Sequence, residues 1–90
     1  MRVQPGDRHY GEYANLLTLS DAQVAKSIRS YKKQIAHHME KRNNPALHAI
    51  GWHNLDDREK SGLTRYWEKE IDDLNAKLAL AQAVANERGL

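Results

Sequence analysis

Cysteine and phenylalanine are both absent from this chain of 90 residues, and only two prolines occur. Without cysteine, disulfide frameworks, cysteine-ligated zinc, iron–sulfur clusters and thiol nucleophiles are excluded. Long apolar runs are also missing, since no stretch approaches the ~20 residues that a membrane-spanning helix needs. Residues Met1–Asp7 lack the apolar core of a secretory signal peptide, so we expect synthesis in the cytoplasm and no membrane partner.

Charged residues of both signs make up 29% of the chain and apolar residues 40%, with a formal net charge of +2. This composition is typical of a soluble, largely helical protein, and the length fits one domain covering residues 1–90. A net charge this small does not by itself indicate nucleic-acid binding.

The first long helix is predicted over residues 20–42. Ser20 and Gln23 have the spacing of a capping box, in which each side chain bonds the other residue's backbone amide. Asn44 and Pro45 end the helix, because a residue before proline disfavours the helical conformation. Apolar side chains recur every three or four residues and so share one face: Val24, Ile28, Tyr31, Ile35 and Met39.

The second long helix is predicted over residues 57–88, after a connector at 43–56. Asp56 or Asp57 can cap its start, and Gly89 is a natural stop. Its apolar positions follow a nearly heptad spacing: Leu63, Trp67, Ile71, Leu74, Leu78, Ala81 and Ala85.

These elements predict an all-α fold, an antiparallel hairpin of two long helices. We expect residues 1–19 to form an irregular arm, in which residues 13–17 can form one short helical turn. The arm and the connector should pack against the hairpin, because two helices alone bury little apolar surface. The alternative way to bury the two apolar stripes is a homodimer that forms a four-helix bundle.

A line of basic side chains lies on the predicted polar face of the first helix. Lys26, Arg29, Lys33 and His37 are spaced by three, four and four residues. Lys26, Lys33 and His37 are therefore candidates for contacting nucleic-acid phosphates. The alternative is that they form the ordinary solvated face of an amphipathic helix.

Five histidines occur in the chain, at positions 9, 37, 38, 48 and 53. Imidazole titrates near neutral pH, which suits general acid–base chemistry such as RNA cleavage through the 2′-hydroxyl. No two histidines have the four-residue helical spacing of a metal pair, so we expect neither metal nor cofactor. The alternative is that these histidines are structural, and we interpret Trp52 and Trp67 as packing residues.

One pattern spans residues 7–89. It consists of Leu19-Ser20-Asp21-x-Gln23, Lys26-Ser27-Ile28-Arg29-Ser30-Tyr31-x-Lys33-Gln34-Ile35, Asn44-Pro45, Trp52-x-Asn54-Leu55-Asp56-x-Arg58, Trp67-x-Lys69-Glu70-Ile71 and Glu87-Arg88-Gly89. This pattern resembles the small helical domain at the C-terminus of bacterial polymorphic toxins, including RHS-type proteins, and of related phage proteins. The resemblance implies delivery into a competitor's cytoplasm by a carrier, a cognate immunity protein, and nuclease activity on RNA or DNA.

The resemblance, the histidines and the basic helix together favour a ribonuclease-type toxin. Its candidate catalytic residues are His9, Arg8, Arg29, His48 and His53. A histidine would serve as acid or base, and an arginine would stabilise the phosphorane.

Two other functions stay open. The heptad-like seam and the charge difference between the helices favour a non-enzymatic interaction module, such as an adaptor, an immunity partner or a small phage protein. Residues 21–42 contain six Lys/Arg and two Asp/Glu, whereas residues 56–88 contain six and eight. A DNA-binding regulator is less favoured, because no helix–turn–helix spacing is visible.

Overall fold

The computed structural model of the protein describes residues 10–90, and within that range it contains helices and no strand. The described residues form four α-helices and one 3-10 turn: α1 (Tyr10–Leu17), α2 (Asp21–Asn43), α3 (Pro45–His48), the 3-10 turn (Trp52–Asn54) and α4 (Asp57–Glu87). The all-α prediction is confirmed. No helix in the described part of the chain is long and apolar enough to cross a bilayer.

The start of α2 is fixed by the predicted capping box. The Gln23 amide donates to the Ser20 hydroxyl at 3.2 Å, and the Ser20 amide donates to Gln23 Oε1 at 2.9 Å. At the other end, Pro45 occupies the first turn of α3, where its missing N–H is not needed. A new helix therefore begins within two residues of the end of α2.

The start of α4 is fixed in a similar way, because Asp56 Oδ1 accepts the Glu59 amide at 2.8 Å. After the last turn, Gly89 adopts a φ of 72°, a conformation that side chains with a Cβ disfavour. With 31 residues, α4 is about 46 Å long and is the longer helix of the hairpin.

The long helices α2 and α4 pack against each other along their length, antiparallel, so that the start of α2 meets the end of α4. We call that end the base of the hairpin and the opposite end, with the connector, the tip. The base contains one apolar cluster drawn from three helices: Leu16, Val24, Leu80, Ala81, Val84 and Ala85.

The predicted irregular arm is where the sequence-based prediction is wrong, because residues 10–17 form the two-turn helix α1. Leu16 of α1 is buried in the base cluster. The guanidinium of Arg88 caps the end of α1 by donating to the carbonyl of Leu17 at 3.1 Å, and it also donates to the carbonyl of Leu19, in the link to α2, at 2.7 Å. Helix ends leave such carbonyls without intrahelical partners, so a contact from α4 stabilises α1.

The connector is anchored to α4 by a pair of indoles. Trp52 stacks on the buried Trp67, with ring centroids 6.2 Å apart and planes 25° apart. Lys60 Nζ lies 5.6 Å from the centroid of the Trp52 ring. Gly51 precedes this anchor with a φ of 75°, which turns the chain toward α4. The interpretation of both tryptophans as packing residues is confirmed.

Candidate acid–base and RNA-binding site

The basic side chains predicted to line one face of α2 are all exposed, whereas Val24 on the opposite face is fully buried. We call this set the basic stripe: Lys26, Arg29, Lys33 and His37. Eleven residues separate its ends, which is about 17 Å along the helix axis. The stripe is thus a continuous, solvent-facing row of cations that ends at a histidine near the tip.

At the tip end of the stripe, α3 folds the chain back so that His48 lies against α2. The rings of His37 and His48 meet edge to face, with centroids 6.0 Å apart and planes at 87°. Glu40 Oε2 lies 3.5 Å from His48 Nε2. We call these three residues the histidine cluster. Two groups that can exchange protons therefore stand side by side, with a carboxylate next to one of them.

The two imidazoles of the cluster differ in exposure. His37 is exposed, whereas His48 is partly buried and its Nε2 is shielded from solvent. That nitrogen forms no hydrogen bond, and its contact with Glu40 is an ion pair only when His48 carries a proton. A protonated His48 is the state in which Glu40 holds the ring most firmly.

His38 extends this group of rings along α2, with its centroid 6.1 Å from that of His37. It is partly buried, and its Nδ1 is shielded from solvent without a hydrogen-bond partner. His38 thus contributes to the packing under the histidine cluster, in line with the structural interpretation of this histidine.

The predicted catalytic residues do not all come together. His48 belongs to the histidine cluster, but Arg29 is eight residues before His37 on α2, about 12 Å along the axis. His53 is exposed in the 3-10 turn. Arg8 and His9 lie outside the described residues, so their roles stay predictions.

Glu40 is the member of the cluster that the sequence did not identify as functional. The spacing of three residues between His37 and Glu40 places them on one helix face, which was the available signal. Because α3 folds back onto α2, the imidazole of His48 also lies beside Glu40.

The site is an open surface. Two shallow depressions of about 410 and 460 Å³ flank the first turns of α4, and no histidine lines either one. Among residues 10–90, no set of three or more histidine and carboxylate side chains has the arrangement of a metal site. An open row of cations beside two imidazoles suits an extended polymer better than a small molecule that needs enclosure.

Comparisons with protein-family models, with characterised protein sequences and with solved structures give no match to this chain.

Proposed function

We propose that this chain is an RNA-cleaving domain used in bacterial antagonism. The observation that carries the proposal is the histidine cluster at the end of the basic stripe, where α3 places His48 against His37 and Glu40. Binding and chemistry are then adjacent on one face of α2, with no need for a deep pocket.

RNA binding would use the exposed cations. Lys26, Arg29 and Lys33 lie one helical turn apart, so their charges follow a line that a single RNA strand can track with its phosphates. The strand would then pass His37, and the phosphate at that point would lie beside both imidazoles. Such binding weakens steeply with added salt, because it releases condensed cations from the RNA.

Cleavage would proceed by transfer of the phosphate to the neighbouring 2′-hydroxyl. His37, the exposed imidazole, takes the proton of that hydroxyl as its oxygen bonds to phosphorus. His48, in its protonated form, donates a proton from Nδ1, the ring nitrogen that does not face Glu40, to the departing 5′ oxygen as the P–O bond breaks. Glu40 is a positioning residue, because it contacts His48 and not the reacting atoms.

The biological setting comes from the toxin-domain resemblance. In that setting a carrier brings the chain into the cytoplasm of a competing cell, and a cognate immunity protein protects the cell that makes it. The motifs that support this setting lie on α2, α4 and the connector, and the basic stripe and the histidine cluster lie on α2 and on α3 within the connector.

The direct experiment incubates the purified chain with a labelled RNA oligonucleotide in the presence of a metal chelator. We expect cleavage that leaves a 2′,3′-cyclic phosphate, and no cleavage of the 2′-deoxy oligonucleotide. His48→Ala and His37→Ala should each lower the rate by about 100-fold or more, the usual contribution of one acid or base. Glu40→Gln should cost less, about 10-fold, because it removes only the ring's support.

A matched pair of lysines tests the basic stripe. Lys33→Ala should raise KM at fixed ionic strength, whereas Lys32→Ala, which removes an exposed charge off the stripe, should not. RNA that stays intact with the wild-type chain would rule out the proposal, and equal effects of the two lysine variants would rule out the stripe as the binding surface.

The setting is tested separately by inducing the chain in bacteria and measuring growth and RNA integrity in the same culture. Growth arrest with fragmented RNA supports a ribonuclease toxin, and the His48→Ala chain should then be tolerated. Arrest with intact RNA would retain the antagonism and reject RNA as its target. Normal growth with abundant folded protein would reject both.

A further inference from the structure

A groove crosses the first turns of α4 beside the connector. It consists of two adjoining depressions of about 410 and 460 Å³, which share Asp57, Ser61 and Arg65. Volumes of this size lie within the range of ligand-binding sites. The depression that includes a connector residue is called the α4 groove here, and it is lined by Trp52, Asp57, Lys60, Ser61, Thr64 and Arg65.

One wall of the α4 groove is the indole of Trp52. This ring packs against the buried Trp67 and is still half-exposed. Lys60 Nζ lies 5.6 Å from the centroid of the Trp52 ring. A cation over an exposed ring is held more weakly than a base stacked on it, so a flat ligand can displace the ammonium of Lys60. The wall therefore suits an aromatic ring that carries a negative charge nearby.

The polar side chains of the α4 groove have no partner within the described part of the chain. Asp57, Ser61 and Arg65 form neither a hydrogen bond nor an ion pair through their side chains there. Their spacing of four and four residues places them along one face of α4. Asp57 and Arg65 are about 12 Å apart along the helix axis, too far to pair with each other. A carboxylate and a guanidinium therefore stand at opposite ends of one groove.

A guanine base matches the carboxylate of Asp57 better than any other base. An ionised carboxylate only accepts hydrogen bonds. Guanine presents two neighbouring donors, N1–H and the N2 amino group, whereas adenine, cytosine and uracil each set a donor beside an acceptor on the same edge. The cations of Lys60 and Arg65 match a phosphate group. A neutral sugar stacked on the indole would leave both cations without a counter-charge.

We propose that the α4 groove binds a guanine nucleotide. Trp52 stacks on the base, Asp57 accepts hydrogen bonds from its N1–H and N2 amino group, and Arg65 binds the phosphate together with Lys60. This site goes beyond the proposed function, because binding a nucleotide requires no cleavage. The nucleotide is either free or part of an RNA strand. His48 precedes Trp52 by four residues, so their Cα atoms are at most about 15 Å apart and a strand at the histidine cluster can reach the groove.

The base is tested by calorimetric titration of the full chain with guanosine 5′-monophosphate. We expect a dissociation constant below about 1 mM. The affinity should be about 10-fold higher than for the adenosine, cytidine and uridine monophosphates, the size of one or two net hydrogen bonds. Asp57→Asn replaces one acceptor by a donor and should remove this preference. Asp72→Asn changes an exposed aspartate further along α4 and should leave it intact.

The phosphate contact is tested by comparing guanosine 5′-monophosphate with guanosine. Arg65→Ala should weaken binding of the nucleotide by about 10-fold and leave binding of the nucleoside unchanged. Arg65→Lys should restore part of the affinity, and Lys69→Ala, an exposed charge one turn further on, is the control. Stacking is measured as quenching of tryptophan fluorescence by the nucleotide, which Trp52→Phe should reduce. Circular dichroism of each variant confirms that it folds.

The source of the nucleotide is assigned by competition, with the His48→Ala chain so that RNA stays intact. Displacement of guanosine 5′-monophosphate by an RNA hexanucleotide with one guanine, and not by its adenine counterpart, assigns the groove to an RNA strand. Failure to displace it assigns the groove to the free nucleotide, and both results retain the guanine site.

Three results would overturn the proposal. These are no binding of guanosine 5′-monophosphate below about 1 mM, equal affinity for all four nucleotides, and a guanine preference that survives Asp57→Asn. Guanosine 5′-monophosphate binding by a chain that leaves RNA intact would reject the proposed function alone.

Discussion

At the base of the hairpin three helices share one apolar core, whereas at the tip only two helices and a short connector meet. The difference is visible along α4. In its tip half the buried side chains form a single narrow stripe, Trp67, Ile71 and Leu74. In its base half both sides of that stripe are buried, and the set widens to Leu80, Ala81, Val84 and Ala85.

The comparison shows how a small hairpin divides stability from function. At the base, the third helix lets α4 bury two of its faces. The alanines of α4 in this region allow the neighbouring helices to approach it closely. At the tip, indole and imidazole rings do the packing, and polar atoms and aliphatic side chains stay accessible. The described molecule is elongated, 49 × 27 × 16 Å, so the base and the tip lie far apart along its long axis.

The largest contrast between base and tip is expected from two leucines. Leu80 is 3% exposed, so Leu80→Ala removes packed atoms from the core and should lower the free energy of unfolding by about 2–4 kcal/mol. Leu47→Ala at the tip should change it by less than about 0.5 kcal/mol. Urea denaturation followed by circular dichroism measures both. A Leu47→Ala effect as large as that of Leu80→Ala would mean that the tip is part of the folding core.

The next contrast concerns the cap that Arg88 places on α1. Arg88→Ala removes the guanidinium from the carbonyls of Leu17 and Leu19 and should lower the free energy of unfolding by about 1–2 kcal/mol, since hydrogen bonds from charged donors are the stronger ones. Hydrogen exchange should accelerate for the α1 amides more than for those of α2 near the tip. Lys69→Ala, an exposed charge in the middle of α4, is the control and should affect neither. Equally faster hydrogen exchange in α1 and in α2 would show that Arg88 does not stabilise α1 in particular.

The smallest contrast uses two glycines with opposite expectations. An added Cβ meets nothing within 4 Å at Gly51 or at Gly62, so backbone conformation alone decides the outcome. Gly51→Ala forces a left-handed residue and should destabilise by about 1 kcal/mol. Gly62→Ala lies inside α4 and should stabilise by about 0.5–1 kcal/mol. Thermal denaturation measures the melting temperature of both variants. Shifts of the same sign in the two variants would contradict the prediction.

The two long helices were predictable because their signals are local. The prediction of 20–42 and 57–88 compares with Asp21–Asn43 and Asp57–Glu87 in the structure. Capping residues and apolar periodicity act within a few residues along the chain, so sequence alone contains them. By contrast, α1 is short, contains Gly11 and is stabilised by Arg88 and by the core, and these contacts cannot be read from local pattern.

The candidate site was only partly predictable for a related reason. The basic stripe follows from helical spacing, and its exposure on α2 agrees with that expectation. His48 approaches Glu40 because of the direction that α3 takes from Pro45. The periodicity of apolar residues along the sequence does not specify that direction. The sequence analysis also missed Leu80 and Val84, which lie off the heptad-like stripe and are buried in the cluster that α4 shares with α1 and α2.

The cap on α1 also has a consequence for the order of events when the chain is made. Arg88 lies 71 residues after the Leu17 carbonyl that it binds. At about 5–20 residues per second, a ribosome needs about 4–14 s to synthesise that interval. During this time the carbonyls at the end of α1 accept hydrogen bonds from water and not from Arg88. Closing so long a loop carries an entropic cost, and this cost is smaller when the hairpin of α2 and α4 forms first. The shortest of the three base helices is therefore expected to be the last to dock.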